Sequence, residues 1–423
     1  MFSLLGLTVY LALEFLRPEV LFPGMTTPIM LWIALGTIVV AFLELCFGGW
    51  NWQALPTTRF FMAFVAIASV SLLLNFQSGA KALTNVQEVC KLFLIYLVIV
   101  QSVRTEGRLK YILAVFMGLI LLLGAEGIAF SLGYEVPGFS WDRQHRVEYS
   151  GVFKDSNDLG QIFAVAWTLL VYFVINGNGA LKKILSLPLL GLLVWAVLLT
   201  GSRGTMLSAI VGLSLAIHKR LGVAVSGAVA VSLLLVVSLA GVNRMNYFSP
   251  TETSAEDRVK AWGQGWYMLR AHPFFGVGPL NFNQYHPRAA HSALVQVGAE
   301  TGLVGLFCWI GLLYAPLRQT VRSLWYRHAV VLADFRQLQL QAALLVCFVS
   351  SLFLSRAYKL PLYLLAAMVL AAARIGDEEN EPADEEEAEA EASPMLGVRE
   401  IALAQLACIV FWRVMIRHYI NGI

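Results

Sequence analysis

Long apolar stretches separated by short polar connections recur along nearly the whole chain. Twelve of them approach the length of about 20 residues that crosses the hydrocarbon core of a bilayer. They are residues 2–16, 27–47, 60–74, 85–103, 109–132, 158–175, 181–199, 205–217, 220–241, 291–315, 338–355 and 360–374. Strands of a membrane barrel would alternate in polarity over about ten residues, whereas these runs are continuously apolar. The pattern therefore predicts an all-α integral membrane protein with about 12 transmembrane helices.

Composition supports a membrane protein. Hydrophobic residues make up 58% of the 423 residues and charged residues only 13%, against roughly a quarter charged in soluble domains. The five cysteines are far apart and form neither a CxxC nor a Cys/His pattern, so neither a disulfide framework nor a metal site is indicated. We expect no cofactor and no nucleic-acid partner.

Basic residues orient the predicted spans. The first stretch has no basic leader and no small-residue cleavage site before Arg17 and Pro18, which predicts a retained signal anchor. With the N-terminus in the cytoplasm, inner and outer loops carry thirteen Lys and Arg residues each. Eight of the outer ones lie in two longer loops, 133–157 and 242–290, and setting these aside leaves thirteen against five. Because the positive-inside rule applies mainly to short loops, both termini are predicted to be cytoplasmic.

The two outer loops run against this charge bias, so they either bind an anion or need charge for solvation. Loop 133–157 mixes aromatic, charged and turn-forming residues and is predicted to fold against the bundle. Its last residues, GVFKDSN, precede the span at 158. Here Ser156, Asn157 or Asp158 is an alternative helix cap with no further role.

A second polar element is the hairpin Thr200–Thr205, TGSRGT, on the outer side. Its two glycines permit a sharp turn, and the guanidinium of Arg203 offers a rigid fork of donors that matches phosphate oxygens. The alternative is an arginine that extends to the membrane interface.

Loop 242–290 contains a predicted interfacial helix over 257–270. Arg258, Trp262 and Trp266 are spaced four residues apart and share one face, where tryptophan favours the membrane interface and arginine can meet a lipid phosphate. An amphipathic helix that only rests on the bilayer is the alternative. The segment AHPFFGVGPLNF follows from Ala271.

His291 and Ser292 begin the string HSALVQVGAETGLVG, where a polar loop enters an apolar helix. A histidine here is a candidate general base, since its ordinary pKa suits proton transfer near neutral pH; an interface residue with one hydrogen bond is the alternative. Glu300 lies in the apolar segment and is assigned a supporting role. The glycines of the string fit helix packing as well as ligand approach.

After residue 375 the chain changes character. Residues 376–394 hold ten acidic side chains, which predicts a disordered cytoplasmic linker. Residues 395–423 are predicted to form an amphipathic helix on the inner leaflet, with a short extra span as the alternative.

Together these elements resemble the O-antigen ligase family. The resemblance includes the histidine followed by Ser, nine residues and Gly-Leu-Val-Gly, the Ser-Arg-Gly hairpin, the loop with Arg258, the His-Pro-x-x-Gly-x-Gly-Pro element and the Gly-x-Phe-x-x-x-Asn element, in which Ser156 stands where the family usually has Pro. Such proteins are multi-pass GT-C type glycosyltransferases of the bacterial inner membrane. They move a glycan from undecaprenyl diphosphate to a hydroxyl acceptor at the periplasmic face, without a metal.

The resemblance implies a transmembrane catalytic domain over 1–375, whose active site faces the periplasm, with cytoplasmic termini. His291 would be the general base, and Arg203 and Arg258 would stabilise the leaving diphosphate. The predicted substrate-binding residues are Arg203, Arg258, Lys154, Asn157, Arg288, Ser292 and Trp262. The expected partners are the undecaprenyl-diphosphate-linked glycan, an acceptor such as lipid A-core, and membrane lipid.

Three activities share these motifs: ligation to lipid A-core, polymerisation of O-antigen or exopolysaccharide repeat units, and glycan transfer to protein. Ligation is favoured by the histidine signature, and no added soluble domain points to a protein acceptor. A lipid or sugar transporter also fits the hydropathy, but transporters tend to have internal repeats and polar groups at mid-membrane, neither of which is evident here.

Overall fold

A computed structural model describes residues 2–21, 29–48, 55–75, 79–150, 153, 155–244, 253–325, 335–379 and 394–420. Its first six helices are α1 (Phe2–Leu16), α2 (Pro18–Leu21), α3 (Ile29–Gly48), α4 (Leu55–Leu74), α5 (Gly79–Ser102) and α6 (Glu106–Ser131). A hairpin of β1 (Phe139–Trp141) and β2 (Val147–Tyr149) follows. The later helices are α7 (Ser156–Asn176), α8 (Ala180–Leu199), α9 (Arg203–Arg244), α10 (Thr253–Ala271), α11 (Phe282–Tyr285), α12 (Ala293–Trp325), α13 (Phe335–Ser351), α14 (Leu360–Glu379) and α15 (Pro394–Ile420).

The predicted apolar stretches are helical wherever the structure describes them, apart from a few residues at their ends. Residues 205–217 and 220–241 form the two halves of α9, which is interrupted at Gly222 by a non-helical backbone. Within the described residues, six helices are long and apolar enough to cross a membrane. Large apolar side chains, such as Leu181 and Leu185 on α8, are exposed, as in a protein surrounded by lipid. The molecule is a polytopic helical membrane protein.

The described part of loop 133–157 folds against the bundle, but it contains a strand pair that the predicted all-α class lacks. Phe139 pairs with Tyr149 and Trp141 with Val147 in antiparallel register. Phe139, Val147 and Tyr149 are buried, and the Tyr149 hydroxyl donates to the Leu16 carbonyl over 2.8 Å. Alternating polarity over three residues, FSW and VEY, suits a hairpin with one buried face.

Polar side chains join the helices around α7. The Gln161 amide donates to the hydroxyls of Ser350 and Ser351 on α13, over 2.8 and 2.9 Å. The Trp167 indole donates to the Ala209 carbonyl of α9 over 3.1 Å. Such bonds between helices fix their register where apolar packing alone is unspecific. We call the end of the bundle where α7, α9 and α12 begin the site end.

The C-terminal region differs from the prediction where the acidic linker begins. The first residues of the predicted linker 376–394 belong to α14, which continues to Glu379 because glutamate is a good helix former. Residues 380–393 lie outside the described residues, so the predicted disorder is not addressed. In the region of the predicted helix 395–423, the described residues Pro394–Ile420 form α15, which packs on α10 and α12 of the bundle, and residues 421–423 lie outside the described residues.

Candidate functional site

His291 lies in the short connection before α12, at the site end. Its backbone has a φ of +48°, a region that few residues other than glycine adopt. Two hydrogen bonds hold this backbone: the His291 N–H donates to Ser355 Oγ over 2.8 Å, and the Trp262 indole donates to the Ala290 carbonyl over 2.8 Å. The imidazole is thus placed by contacts from both α10 and the turn after α13.

The surroundings of His291 favour a neutral imidazole. Burial lowers its pKa below the ordinary 6.5, the positive charge of Arg258 lowers it further, Asp155 acts in the opposite direction and Arg288 adds a lowering effect. A ring with a lowered pKa is unprotonated at neutral pH and can accept a proton. The geometry and charge around His291 therefore suit a general base.

Arg258 is half-buried on α10 and shares this environment. The pKa of Arg258 is lowered overall, mainly by burial. The carboxylate of Asp155 acts to raise this pKa, and the positive charge of Arg146 acts to lower it. A guanidinium nevertheless stays protonated at neutral pH. The protein therefore keeps a positive charge partly withdrawn from water beside His291, where it attracts an anion more strongly than in bulk water.

The start of α7 contributes a carboxylate and an amide. Asp155 caps the helix by accepting from the Asn157 backbone N–H over 2.8 Å, and it also accepts from the Asn157 side chain over 2.8 Å. The prediction that Ser156, Asn157 or Asp158 is the cap was wrong by one residue, because Asp155 has the extended backbone that a cap requires.

Arg146 connects this cap to the β-hairpin. Its Nε pairs with Asp142 Oδ2 at 2.7 Å, and its Nη1 donates to Asn157 Oδ1 over 3.4 Å. The predicted substrate residue Asn157 thus lies in a network of Asp142, Arg146 and Asp155.

Arg203 is exposed and is the first residue of α9. The preceding turn lies close to the hairpin of β1 and β2, since a Cβ added to Gly201 would lie 3.1 Å from the Arg146 side chain. Ser202 Oγ accepts from the Thr205 N–H over 3.3 Å and so caps α9. The turn Thr200–Thr205 therefore places Arg203 at the site end, two residues from Gly201, which lies against Arg146.

The other predicted substrate residues have structural partners. Arg288 is exposed and forms an ion pair with Asp257. Ser292 is buried, and its hydroxyl accepts from the Val295 N–H over 3.5 Å as a helix cap. Trp262 is also buried, so its ring lies inside the protein and not at a membrane interface. Lys154 lies outside the described residues.

The segment from His272 to Asn281 fits into a break in α12. Gly302 interrupts α12 with a φ of +67°, and a Cβ there would lie 2.4 Å from the Phe274 carbonyl carbon. Gly276, with a φ of +65°, makes the reciprocal approach, since its Cβ would lie 2.3 Å from the Glu300 carbonyl carbon. Only glycine fits both positions. The two glycine-containing motifs are therefore one structural unit.

Glu300 completes this unit. Its carboxylate accepts from the Phe282 backbone N–H over 3.0 Å, and its backbone carbonyl accepts from the Gly278 N–H over 2.8 Å. The predicted supporting role of Glu300 is thus to anchor the loop that leads to His291.

The prediction did not single out Arg146, Asp155, Ser355 or Arg356 as site residues. Asp155 was detectable inside the Gly-x-Phe-x-x-x-Asn element, whereas Ser355 comes near His291 only through packing. Arg356 is 2% exposed, pairs with Asp158 at 2.7 Å and lies over the Phe153 ring at 5.4 Å. This ion pair of buried Arg356, next to Ser355, fixes the turn that holds His291.

In the part of the chain that the structure describes, no three His, Cys, Asp or Glu side chains converge as metal ligands would. The charged groups that face His291 are instead Arg258, Asp155 and Arg288.

Residues 188–310 match a protein-family model described as O-antigen ligase. This region includes Arg203, Arg258, His291, the break at Gly302 and the segment that fits into it. No curated protein matches the chain. The family is one of glycosyltransferase or ligase-type enzymes that act on glycans. The family match supports the resemblance seen in the sequence, and residues 188–310 of this chain are similar to the O-antigen ligase family.

Proposed function

We propose that this protein transfers a glycan from undecaprenyl diphosphate to a hydroxyl acceptor at the periplasmic face of the bacterial inner membrane. The donor is a lipid-linked glycan, the acceptor is lipid A-core, and the fold is of the GT-C type. The observation that carries the proposal is His291, a histidine with a lowered pKa beside Arg258 within the family-matched region.

The imidazole supplies the base that the acceptor needs. A sugar hydroxyl is too weak an acid to attack unaided, so its proton must be removed as the new bond forms. Because burial and Arg258 lower the pKa of His291, the ring is ready to accept this proton at neutral pH.

Arginines supply the charge that the leaving group needs. The departing lipid diphosphate carries at least two negative charges, which guanidinium groups can stabilise as the bond breaks. Arg258 is half-buried next to His291, and Arg203 stands at the start of α9 beside the hairpin. We assign both to the diphosphate, with Asn157, Arg288 and Lys154 as further substrate contacts. Ser292 and Trp262, which the sequence also predicted as substrate residues, are buried and support the His291 loop instead.

The step balances as a direct displacement. The acceptor oxygen forms a bond to the anomeric carbon while the bond from that carbon to the diphosphate oxygen breaks. The electron pair leaves with undecaprenyl diphosphate and the hydroxyl proton goes to His291. Attack from the face opposite the leaving group inverts the configuration at the sugar.

A transfer assay in membranes tests the proposal, with undecaprenyl-diphosphate glycan as donor and lipid A-core as acceptor. We expect His291→Ala, Arg258→Ala and Arg203→Ala to lose transfer by about 10²-fold or more, the size typical of a lost general base or charge stabiliser. His272→Ala and Arg143→Ala are matched controls, since both side chains are exposed, and should keep it. Wild-type transfer by all three correctly inserted site variants would overturn the mechanism.

Acceptor identity is tested in the same assay. Transfer to lipid A-core is expected, whereas products that lengthen the donor glycan would indicate a polymerase and transfer to protein would indicate protein glycosylation. Either of these products in place of glycosylated lipid A-core would refute the ligase assignment while leaving the roles of His291 and the arginines intact.

A further inference from the structure

The C-terminal helix α15 packs against α12 and runs antiparallel to it. The Gln405 side chain donates to the Leu303 carbonyl over 2.8 Å, and seven residues later Trp412 lies against Gly298, where an added Cβ would be 3.1 Å from the indole ring. Residue numbers thus rise along α15 as they fall along α12. Since both helices advance about 1.5 Å per residue, Pro394 is level with about Tyr314 and Ile420 is level with the His291 loop.

Length and surface of α15 agree with a membrane crossing. Its 27 residues extend about 40 Å, more than the roughly 30 Å of the hydrocarbon core. The side chains that face away from the bundle are apolar and exposed: Leu403, Leu406, Val410, Phe411 and Val414. Such a face, unfavourable in water, is suited to acyl chains.

Two arginines lie near the C-terminal end of α15. Arg413 lies over the Trp266 ring at 5.9 Å, in the part of the helix next to α10, and Arg417 is exposed one turn further on. Both are towards the site end, where arginines at a helix end can reach the interface.

We infer that α15 is a transmembrane helix that crosses from the end of the bundle where α14 finishes to the site end. We also infer that its Trp412 positions the His291 loop. The crossing differs from the expectation of an inner-leaflet helix with a cytoplasmic C-terminus. The lipid-facing side of α15 contacts acyl chains, and the opposite side contacts α10 and α12.

Two hydrogen bonds link Trp412 through Trp262 to Ala290, the residue before His291. The Trp412 indole N–H donates to the Trp262 carbonyl over 3.1 Å, and the Trp262 indole in turn donates to the Ala290 carbonyl. Trp412 also packs edge-to-face on Trp266 with centroids 5.5 Å apart, and it is 1% exposed. Trp412 therefore fixes α10, and α10 fixes the residue before His291.

Topology reporters test the crossing without reference to activity. Alkaline phosphatase, active only outside the cytoplasm, and green fluorescent protein, fluorescent only inside, are fused after Glu379 and after Ile423. We expect fluorescence but no phosphatase activity at Glu379, and phosphatase activity but no fluorescence at Ile423. The same side at both positions would overturn the inference.

Positioning by Trp412 rests on the proposed function and is tested by transfer. We expect Trp412→Ala to lower kcat on the order of tenfold, while Phe411→Ala, the exposed neighbour, has no effect and Trp412→Phe keeps part of the rate. A loosened loop exposes His291 and raises its pKa, so the acid limb of the rate profile moves to higher pH. An unchanged rate, or a lower rate with an acid limb at the wild-type pH, would refute the positioning role. Absence of transfer by the wild-type protein would instead refute the proposed function.

Discussion

At the scale of single residues, the charges facing His291 decide what the ring can do. The chain has seven histidines, but His291 is the one within the family-matched region whose backbone is held by both Ser355 and the Trp262–Ala290 contact. Arg258 and Arg288 act on its pKa in one direction and Asp155 in the other.

Opposite changes of charge should move the rate profile in opposite directions. Asp155→Asn removes a negative charge that raises the pKa of His291, so the acid limb of kcat/KM should move to lower pH. Arg288→Gln removes a positive charge that lowers this pKa, so the limb should move to higher pH. Transfer measured from pH 4.5 to 8 checks both shifts. Shifts in the same direction, or none, would mean that His291 is not the titrating base.

The ion pair between buried Arg356 and partly exposed Asp158 gives a stability prediction. Asp158→Asn leaves the guanidinium of Arg356, which is 2% exposed, without its counter-charge, at a cost of about 3 kcal/mol. The purified variant should have a clearly lower Tm than wild type. Glu135→Gln, an exposed acid on the same loop side, is the control. Equal values of Tm for all three proteins would show that the pair does not stabilise the fold.

At the scale of elements, the break in α12 explains why two distant motifs belong together. The segment around Gly276 occupies the space opened by Gly302, and α12 then resumes as an apolar helix. The length of the continuous apolar runs predicted the helices well. A run that is long enough to cross a bilayer must satisfy its own backbone hydrogen bonds, and a helix does so without help from distant residues. The hairpin β1–β2 was not predicted, since each strand has only three residues.

Gly302→Ala tests this unit. The new Cβ would meet the Phe274 backbone at 2.4 Å and would require a φ of +67°, so the loop must move and the His291 connection with it. We expect a lower Tm and reduced transfer. Gly118→Ala on α6, with open space around it, should match wild type or gain slightly in stability. A Gly302→Ala protein with normal Tm and transfer would contradict the assigned fit.

At the scale of the whole molecule, charge is distributed unevenly. The chain has a net charge of only +3, yet Arg146, Arg203, Arg258 and Arg288 come from four separate parts of the sequence and lie around one end of the bundle. Arg146 and Arg288 are paired with Asp142 and Asp257, so we expect a moderate positive potential at this end, which attracts an anionic donor.

Salt should therefore weaken binding of an anionic donor more than it slows the chemical step. Raising the ionic strength from about 0.1 to 1 M shortens the Debye length from about 10 to 3 Å. The apparent KM for the diphosphate donor should rise severalfold, with a smaller change in kcat. Measurement at three salt concentrations checks this, and a KM that does not depend on salt would argue against electrostatic recognition of the donor.

The sequence by itself determined the helical membrane class, the positions of the apolar helices, the resemblance to the O-antigen ligase family and the motif residues, because each depends on composition or spacing along the chain. Only the tertiary structure decided which side chains meet. Asp155 and Arg146 join the surroundings of His291 through folding of the hairpin, Trp262 faces inwards, and α15 lies against α12. These contacts join residues far apart in sequence, and their energies depend on distance in space, which no local pattern encodes.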